Sequence, residues 1–231
     1  MTTPDRQVFE QLRYYDTPTI CNALELIDDS RRWYGFTKSD VTAINRTSAP
    51  AVGVAFTATM RSAYPAEFDR EQLKRDRLSY YEYMYEVVAV PKICVMQDLD
   101  DSDAGKGPFW GEFNTRVHQA MGFTGVVTNG SIRDVDKLPR DILILGRGLR
   151  PSHAHVHIVS YGNQVNVFGM TASHGEIVHA DVHGAVCFPS DMAVEVVEKA
   201  EAFVASERPI MEACKEGTLT LERLRSLYMS R

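Results

Sequence analysis

Apolar positions along the chain change period several times, and each change predicts an element. Residues 5–15 and 18–28 carry the recurrence of amphipathic helices, the second with a face of Ile20, Ala23, Leu24 and Ile27. Thr17 and Pro18 predict its start, a cap followed by proline at the first helical position. Residues 30–50 show no regular period and read as irregular. VGVAFTATM (52–60) reads as a strand of β-branched and small residues. From Glu67 to Val88 the spacing is helical, first charged and then tyrosine-rich, and an aromatic stripe of this kind predicts core or subunit-interface packing.

KICVMQDL (92–99) predicts a short buried strand running into Asp98, Asp100, Asp101 and Asp103, an acidic run that reads as a solvated loop. A glycine-rich turn (104–111), a short helix (112–121) and a strand entering the Asn129–Gly130 turn follow, the turn being of a type that takes positive φ. ILIL, AHVHIVSYG, QVNVFGM, EIVHA and AVCFP then read as short strands, and Asp191 to Tyr228 as two helices. The first of these has an apolar face of Met192, Val196, Val197, Ala200, Phe203 and Val204. The fold class expected is α/β, one domain over 1–231, with a core of about 16–190 and C-terminal helices at 191–231.

Composition narrows the function. A hydrophobic fraction of 44% and a charged fraction of 24% belong to a globular chain, not a disordered one. The net charge of −6, with no Lys/Arg run, argues against nucleic acid as a partner. No apolar run approaches the roughly 20 residues needed to span a bilayer, and MTTPDRQVFEQ is too polar for a signal peptide, so no membrane partner and a cytoplasmic location are expected. The four cysteines are far apart and form no CxxC pair, which predicts reduced thiols and no zinc ribbon.

The chemistry concentrates in residues 107–138. A glycine loop feeding a helix leaves backbone N–H groups unpaired at the positive end of the helix dipole, a site for a carboxylate or phosphate. Glu112 starts that helix after Gly111, and Phe113 follows. Beyond the next strand, Arg133 offers a planar fork for a carboxylate or enolate, and Asp134 offers hard oxygens for Mg²⁺ or Mn²⁺. An Arg-Asp pair after a turn is also a common surface ion pair. SHAHVHI (152–158) alternates His153, His155 and His157, which on a strand share one face; that face is a candidate Zn²⁺ or Fe²⁺ site or, more plainly, packing. His174, His179 and His183 surround Asp181 and are expected to hydrogen-bond within that turn. No GxGxxG stands at a strand-to-helix junction, and GRGLRPS (146–152) lacks the phosphate-loop spacing and lysine, so nucleotide and methyl-transfer sites are unsupported.

At these residues the chain resembles the RraA-like family, which includes 4-hydroxy-4-methyl-2-oxoglutarate aldolases. That family's pattern is an acidic residue, twenty intervening positions and Arg-Asp; Glu112 and Arg133–Asp134 match it, and GFTGVVTNGSIRD (122–134) resembles the stretch carrying Arg-Asp. DTPTICNAL (16–24), VGVAFTATM (52–60) and HGEIVHADVHGAVCFP (174–189) extend the likeness, with Gly175, Asp181, Gly184 and Pro189 matching. Glu112 stands where Asp is common, Asn22 where Asp is usual, and Lys137 where some aldolase members carry an acid.

The resemblance implies a swivelling β/β/α fold assembled as a homotrimer or homohexamer. It also implies a divalent-metal-dependent carbon–carbon lyase acting on a small 2-oxo acid and releasing pyruvate through an enolate. Arg133 and Glu112 would then be catalytic. Gly111, Glu112, Phe113 and Arg133 would bind substrate, and Asp134 with Glu112 would hold Mg²⁺ or Mn²⁺. The proton acceptor would be a water on the ion or Glu112. Two alternatives stay open: a non-catalytic regulator binding a protein partner, and the same metal chemistry on a different hydroxy or oxo acid.

Overall fold

The computed structural model describes residues 4–45, 47, 49–86 and 89–230. Its centre is β2 (Ala51–Arg61), whose first ten residues are all buried. Such a strand reads as a continuous apolar run because both faces of the sheet are covered. Along one edge β2 pairs in parallel with β3 (Lys92–Asp98). Along the other it pairs first with β9 (Ile177–Asp181), over Ala51–Val54, and then with β6 (His157–Tyr161), over Ala58–Arg61. Parallel pairing continues from β3 to β4 (Phe123–Thr128) and β5 (Leu143–Gly146). Antiparallel β1 (Thr42–Asn45) closes that edge, and β10 (Gly184–Phe188) closes the edge beyond β9.

Side chains alternate between two cores. Phe56, Ala58, Met60, Cys94, Met96 and Val126 share one core with residues of the helices. Ala55, Ile93, Val95, Val127 and Leu145 meet β7 (Val165–Val167) and β8 (Met170–Ala172), a hairpin over the other face. The expected α/β class is therefore the observed one.

The helices follow the apolar periodicity, with local corrections. α1 (Arg6–Leu12) lies inside the predicted 5–15, and α2 (Thr17–Ile27) starts and ends one residue before the predicted 18–28. The α2 cap is Asp16, whose carboxylate accepts the Thr19 N–H at 2.9 Å. Thr17, the expected cap, is instead buried, and its N–H donates to Asp181. α5 (Ala193–Lys215) and α6 (Leu221–Met229) form the C-terminal pair; Val196, Val197 and Ala200 are buried, whereas Val204 is exposed. Among the described residues no helix is long and apolar enough to cross a membrane.

Four readings change. The stretch expected to be irregular contains β1, a four-residue edge strand too short to carry a period. The acidic run is not simply solvated, because Asp98 and Asp100 are buried. Asp98 accepts from Ser62 and the Gly105 N–H, and burial pushes its carboxyl up; Asp100 accepts the Ser62 and Ala63 N–H groups at 2.6 and 2.8 Å. The Asn129–Gly130 turn does not use positive φ. Asn129 instead pairs its side-chain amide with both backbone groups of Asp98. Finally, the histidine-rich strand starts only at His157, because Ala154 turns left-handed at φ 45°. His153 and His155 therefore do not share a strand face with His157.

α3 (Arg70–Met84) carries the tyrosine stripe; the predicted end of that helix, 87–88, lies outside the described residues. Lys92 anchors its C-terminus, donating to the Met84 and Glu86 carbonyls at 2.7 and 3.0 Å with its ammonium over the Phe56 and Phe123 rings. The stripe is core packing along this part: Tyr80 is buried and Tyr83 stacks on Tyr161.

Two buried histidines have their tautomers set by their partners. His118 faces the Asn114 carbonyl at Nδ1 and the Tyr80 hydroxyl at Nε2, so Nδ1 carries the proton. His179 faces the Leu12 carbonyl at Nε2 and Thr17 Oγ1 at Nδ1, so Nε2 carries it. Burial holds both pKa values down to about 4. Because unfolding restores a value of about 6.5, the unfolded state takes up protons first. The stabilisation is complete above pH 6.5 and is lost as pH falls toward 4. Urea denaturation at pH 5 is expected to show a loss of about 2 kcal/mol per histidine relative to pH 7, and His179→Gln should lose less over that interval.

Candidate functional site

The site forms where residues separated by a strand meet at the start of a helix. α4 (Glu112–Ala120) begins at Gly111, which has no side chain to cap it. The cap comes from elsewhere: the Glu112 N–H donates to Asp134 Oδ2 at 3.3 Å. Asp134 reaches that position because it is left-handed at φ 55°, a conformation Asp tolerates better than most residues. The segment before it is anchored on both sides. Arg133 N donates to the Trp110 carbonyl at 3.0 Å, and Ile132 exchanges backbone bonds with Gly148 and Arg150 at 2.8 and 3.0 Å.

The left-handed turn overrides the rule that successive residues point to opposite faces. Arg133 Nε and Asp134 Oδ2 stand 3.4 Å apart. Gly111 is needed beneath them for steric reasons alone, since its φ of −162° suits any residue. A Cβ there would lie 2.7 Å from Asp134 Oδ2 and 2.9 Å from Arg133 Cγ. The sequence-predicted Gly111, Arg133 and Asp134 thus come together.

Glu112 and Phe113 are less centrally placed. The Glu112 carboxylate meets Arg116 at 3.0 Å, an i,i+4 pair on an exposed helix face worth a few tenths of a kcal/mol. Arg116 also donates to the Lys137 carbonyl at 3.3 Å, which ties the turn after Asp134 to α4. Phe113 is 68% exposed and borders a cavity of about 450 Å³ that Gly111 and Arg133 also line. Part of the helix-end anion site expected from the glycine loop is filled by the Asp134 carboxylate itself.

The cavity contains residues that the sequence did not single out for it: Arg77 of α3, Asn114 of α4, and His153 and His155 before β6. Asn114 is held from two sides, accepting from Tyr81 Oη and donating to the Phe109 carbonyl, each at 2.5 Å. The tyrosine stripe was the one signal that α3 packs here. Nothing in the spacing of Arg77 marks it, because its neighbours in the cavity come from distant segments.

Among the described residues, no group of three or more His, Cys, Asp or Glu gathers to hold a metal ion. That counts against a metal site made by His153, His155 and His157; His157 Nδ1 instead faces the His155 carbonyl at 2.8 Å. His183 Nδ1 lies 3.0 Å from Asp181 Oδ1, whereas His174 pairs with Tyr83 and His179 with Thr17 and Leu12, both outside the turn expected for them. A single exposed carboxylate still suits a hard cation that keeps most of its waters. Asp134 fits: its side chain is 37% exposed, and Oδ1 has no hydrogen-bond donor among the described residues.

Comparison with known proteins identifies the family model and the fold that this chain matches. The family model described as RraA-like, Aldolase/RraA, matches residues 17–187. Protein DlpA of Legionella pneumophila is 28% identical over 142 residues, 60% of this chain; the chain spans only 23% of that protein's length. An uncharacterized protein from Pseudomonas syringae shares the fold with a TM-score of 0.72 at 23% identity, covering 97% of this chain and 100% of its own. RraAS2 of Streptomyces coelicolor, described as an unusual member of the RNase ES inhibitor RraA family, has a TM-score of 0.69 at 24% identity, over 90% of this chain and 97% of its own.

The contact of Gly111 with the Arg133–Asp134 turn makes a direct test. Gly111→Ala is expected to push both side chains away and lower stability by about 1–2 kcal/mol in chemical denaturation. The Glu112 amide, deprived of its acceptor, should exchange with solvent faster than in the parent chain.

Proposed function

This chain belongs to the RraA-like (Aldolase/RraA) family, and from that premise we propose that it is a divalent-metal-dependent carbon–carbon lyase releasing pyruvate from a small 2-oxo acid. The observation that carries the reading is the convergence of Arg133 and Asp134 on Gly111 at the edge of a cavity. A guanidinium and a hard carboxylate side by side suit the binding of a 2-oxo acid and a divalent ion.

Asp134 is the residue to hold Mg²⁺ or Mn²⁺; Glu112 is a second candidate ligand and would exchange its Arg116 contact to serve as one. A bound divalent ion supplies Lewis-acid stabilisation of negative charge on the 2-oxo oxygen. The remaining work falls to the chain. Arg133 grips the substrate's carboxylate and 2-oxo end, a bidentate task for which its fork is suited. In a retro-aldol cleavage the hydroxyl proton leaves, the carbonyl forms at that carbon, and the electron pair of the broken bond passes onto the 2-oxo oxygen. In an oxaloacetate-type decarboxylation the bond to the terminal carboxylate breaks, CO₂ leaves, and that bond's pair passes to the 2-oxo oxygen. In both reactions the enolate then takes a proton from water at carbon to give pyruvate. Arg133 donates to the 2-oxo oxygen as its charge develops, an interaction stronger in the transition state than in the ground state. Glu112 is this chain's candidate proton acceptor.

A ring-shaped homo-oligomer, trimer or hexamer, belongs to the same proposal; Tyr64 and Phe68, each 61% exposed, are apolar surface suited to assembly.

The test is pyruvate release from 4-hydroxy-4-methyl-2-oxoglutarate and from oxaloacetate, with Mg²⁺ or Mn²⁺ and after chelation. Activity is expected to require the ion, to fall on the order of 10²-fold or more in Arg133→Ala, and in Asp134→Ala to be lost or to need much higher ion concentrations. Metal-independent turnover, or normal activity in Arg133→Ala, would sink the mechanism. No turnover on any oxo acid would favour a non-catalytic regulator.

A further inference from the structure

We propose that Arg77 is a specificity-determining residue of this cavity, binding a second anionic group at the end of the ligand away from Arg133. The inference rests on the oxo-acid reading of the site, but its evidence lies in a different element, α3.

The cavity is lined by two guanidinium groups, Arg77 and Arg133, and two imidazoles, His153 and His155, and among the described residues no carboxylate lines it. Arg133 has Asp134 at 3.4 Å to offset its charge. Arg77 is half-buried and has no carboxylate at ion-pair distance among the described residues. Its neighbour Arg75, which is exposed, pairs with Glu71 at 3.6 Å. Desolvating an arginine without an anionic partner is costly, and Arg77, half-buried, brings an unneutralised charge to the cavity.

Arg77 is nonetheless held in place. Its guanidinium stacks over the Phe109 ring at 4.6 Å, and Nη1 reaches Tyr81 Oη at 3.5 Å. Tyr81 is itself fixed by Asn114, whose amide donates to the Phe109 carbonyl. These contacts orient the guanidinium without neutralising it. The guanidinium N–H donors not used on Tyr81 are left for an anion, and the arginine fork is suited to a carboxylate. A monocarboxylate gripped at Arg133 would leave this charge uncompensated. An acid with a second carboxylate would compensate it, so the site favours dicarboxylates over monocarboxylates of the same length.

Binding that does not require turnover separates this inference from the lyase reading. The 231-residue chain is titrated calorimetrically, in buffer containing Mg²⁺, with 2-oxoglutarate and with 2-oxopentanoate, neither of which carries the hydroxyl needed for cleavage. The dicarboxylate is expected to bind at least about tenfold tighter, the effect of one charge-assisted hydrogen-bonded contact. Arg77→Gln should remove that preference while leaving 2-oxopentanoate binding unchanged, and Arg77→Lys, which keeps charge at the site, should retain part of it. Arg133→Ala should weaken both acids. Equal binding of the two acids by the parent chain, no binding of either, or an undiminished preference in Arg77→Gln overturns the inference. If Arg77→Gln does not fold, a reduced preference in a folded Arg77→Lys supports the inference, and an undiminished preference there overturns it. Absence of pyruvate release with an intact, Arg77-dependent preference would defeat the lyase reading alone.

Discussion

The contact between the Arg133–Asp134 turn and Gly111 sets the geometry around it. Asp134 adopts a left-handed backbone, and its carboxylate becomes the N-terminal cap of α4, a helix whose own N-cap residue offers no side chain. The same placement directs Arg133 and Asp134 to one side, where strand alternation would have separated them. Hydrogen bonds from Ile132 and Arg133 to Gly148 and Trp110 hold the turn down on its backbone neighbours. Any side chain at position 111 would occupy the volume that the carboxylate and guanidinium need.

The sheet and α3 supply what that contact cannot. β2 is buried on both faces and bonded along both edges, which gives the turn after β4 and the segment before β6 a common rigid base. α3 is pinned at its C-terminus by Lys92 and along its length by Tyr80 and Tyr81, which reach His118 and Asn114 of α4. Those contacts bring a cation from a charged, weakly patterned helix to the cavity that the Arg-Asp turn borders. Polar groups between the helices are satisfied pairwise, and this lets two neutral histidines be buried with defined tautomers.

Much of the fold was legible in the chain because its signals are local. Apolar periodicity marks α2, α5 and the buried strands, and a strand covered on both faces needs only an unbroken apolar run. The edge strand β1 escaped because four residues carry no period, and α2's cap was displaced by one residue because both Asp16 and Thr17 are cap formers. Asp98 and Asp100 looked solvated because a carboxylate's burial depends on which N–H groups close over it, and those at Ser62, Ala63 and Gly105 come from other segments.

For the site, the sequence by itself determined the chemical types and their spacing: a glycine, an acid, and Arg-Asp after twenty intervening positions. Whether they meet was decided by the tertiary structure, through one left-handed residue and one missing Cβ. The folded chain also placed the Glu112 carboxylate on Arg116 while using its N–H for Asp134, a division of one residue's groups that no pattern encodes. Arg77 enters the cavity for the same reason. Side-chain identity is written locally, but the company a charge keeps is set by packing between segments far apart in the chain.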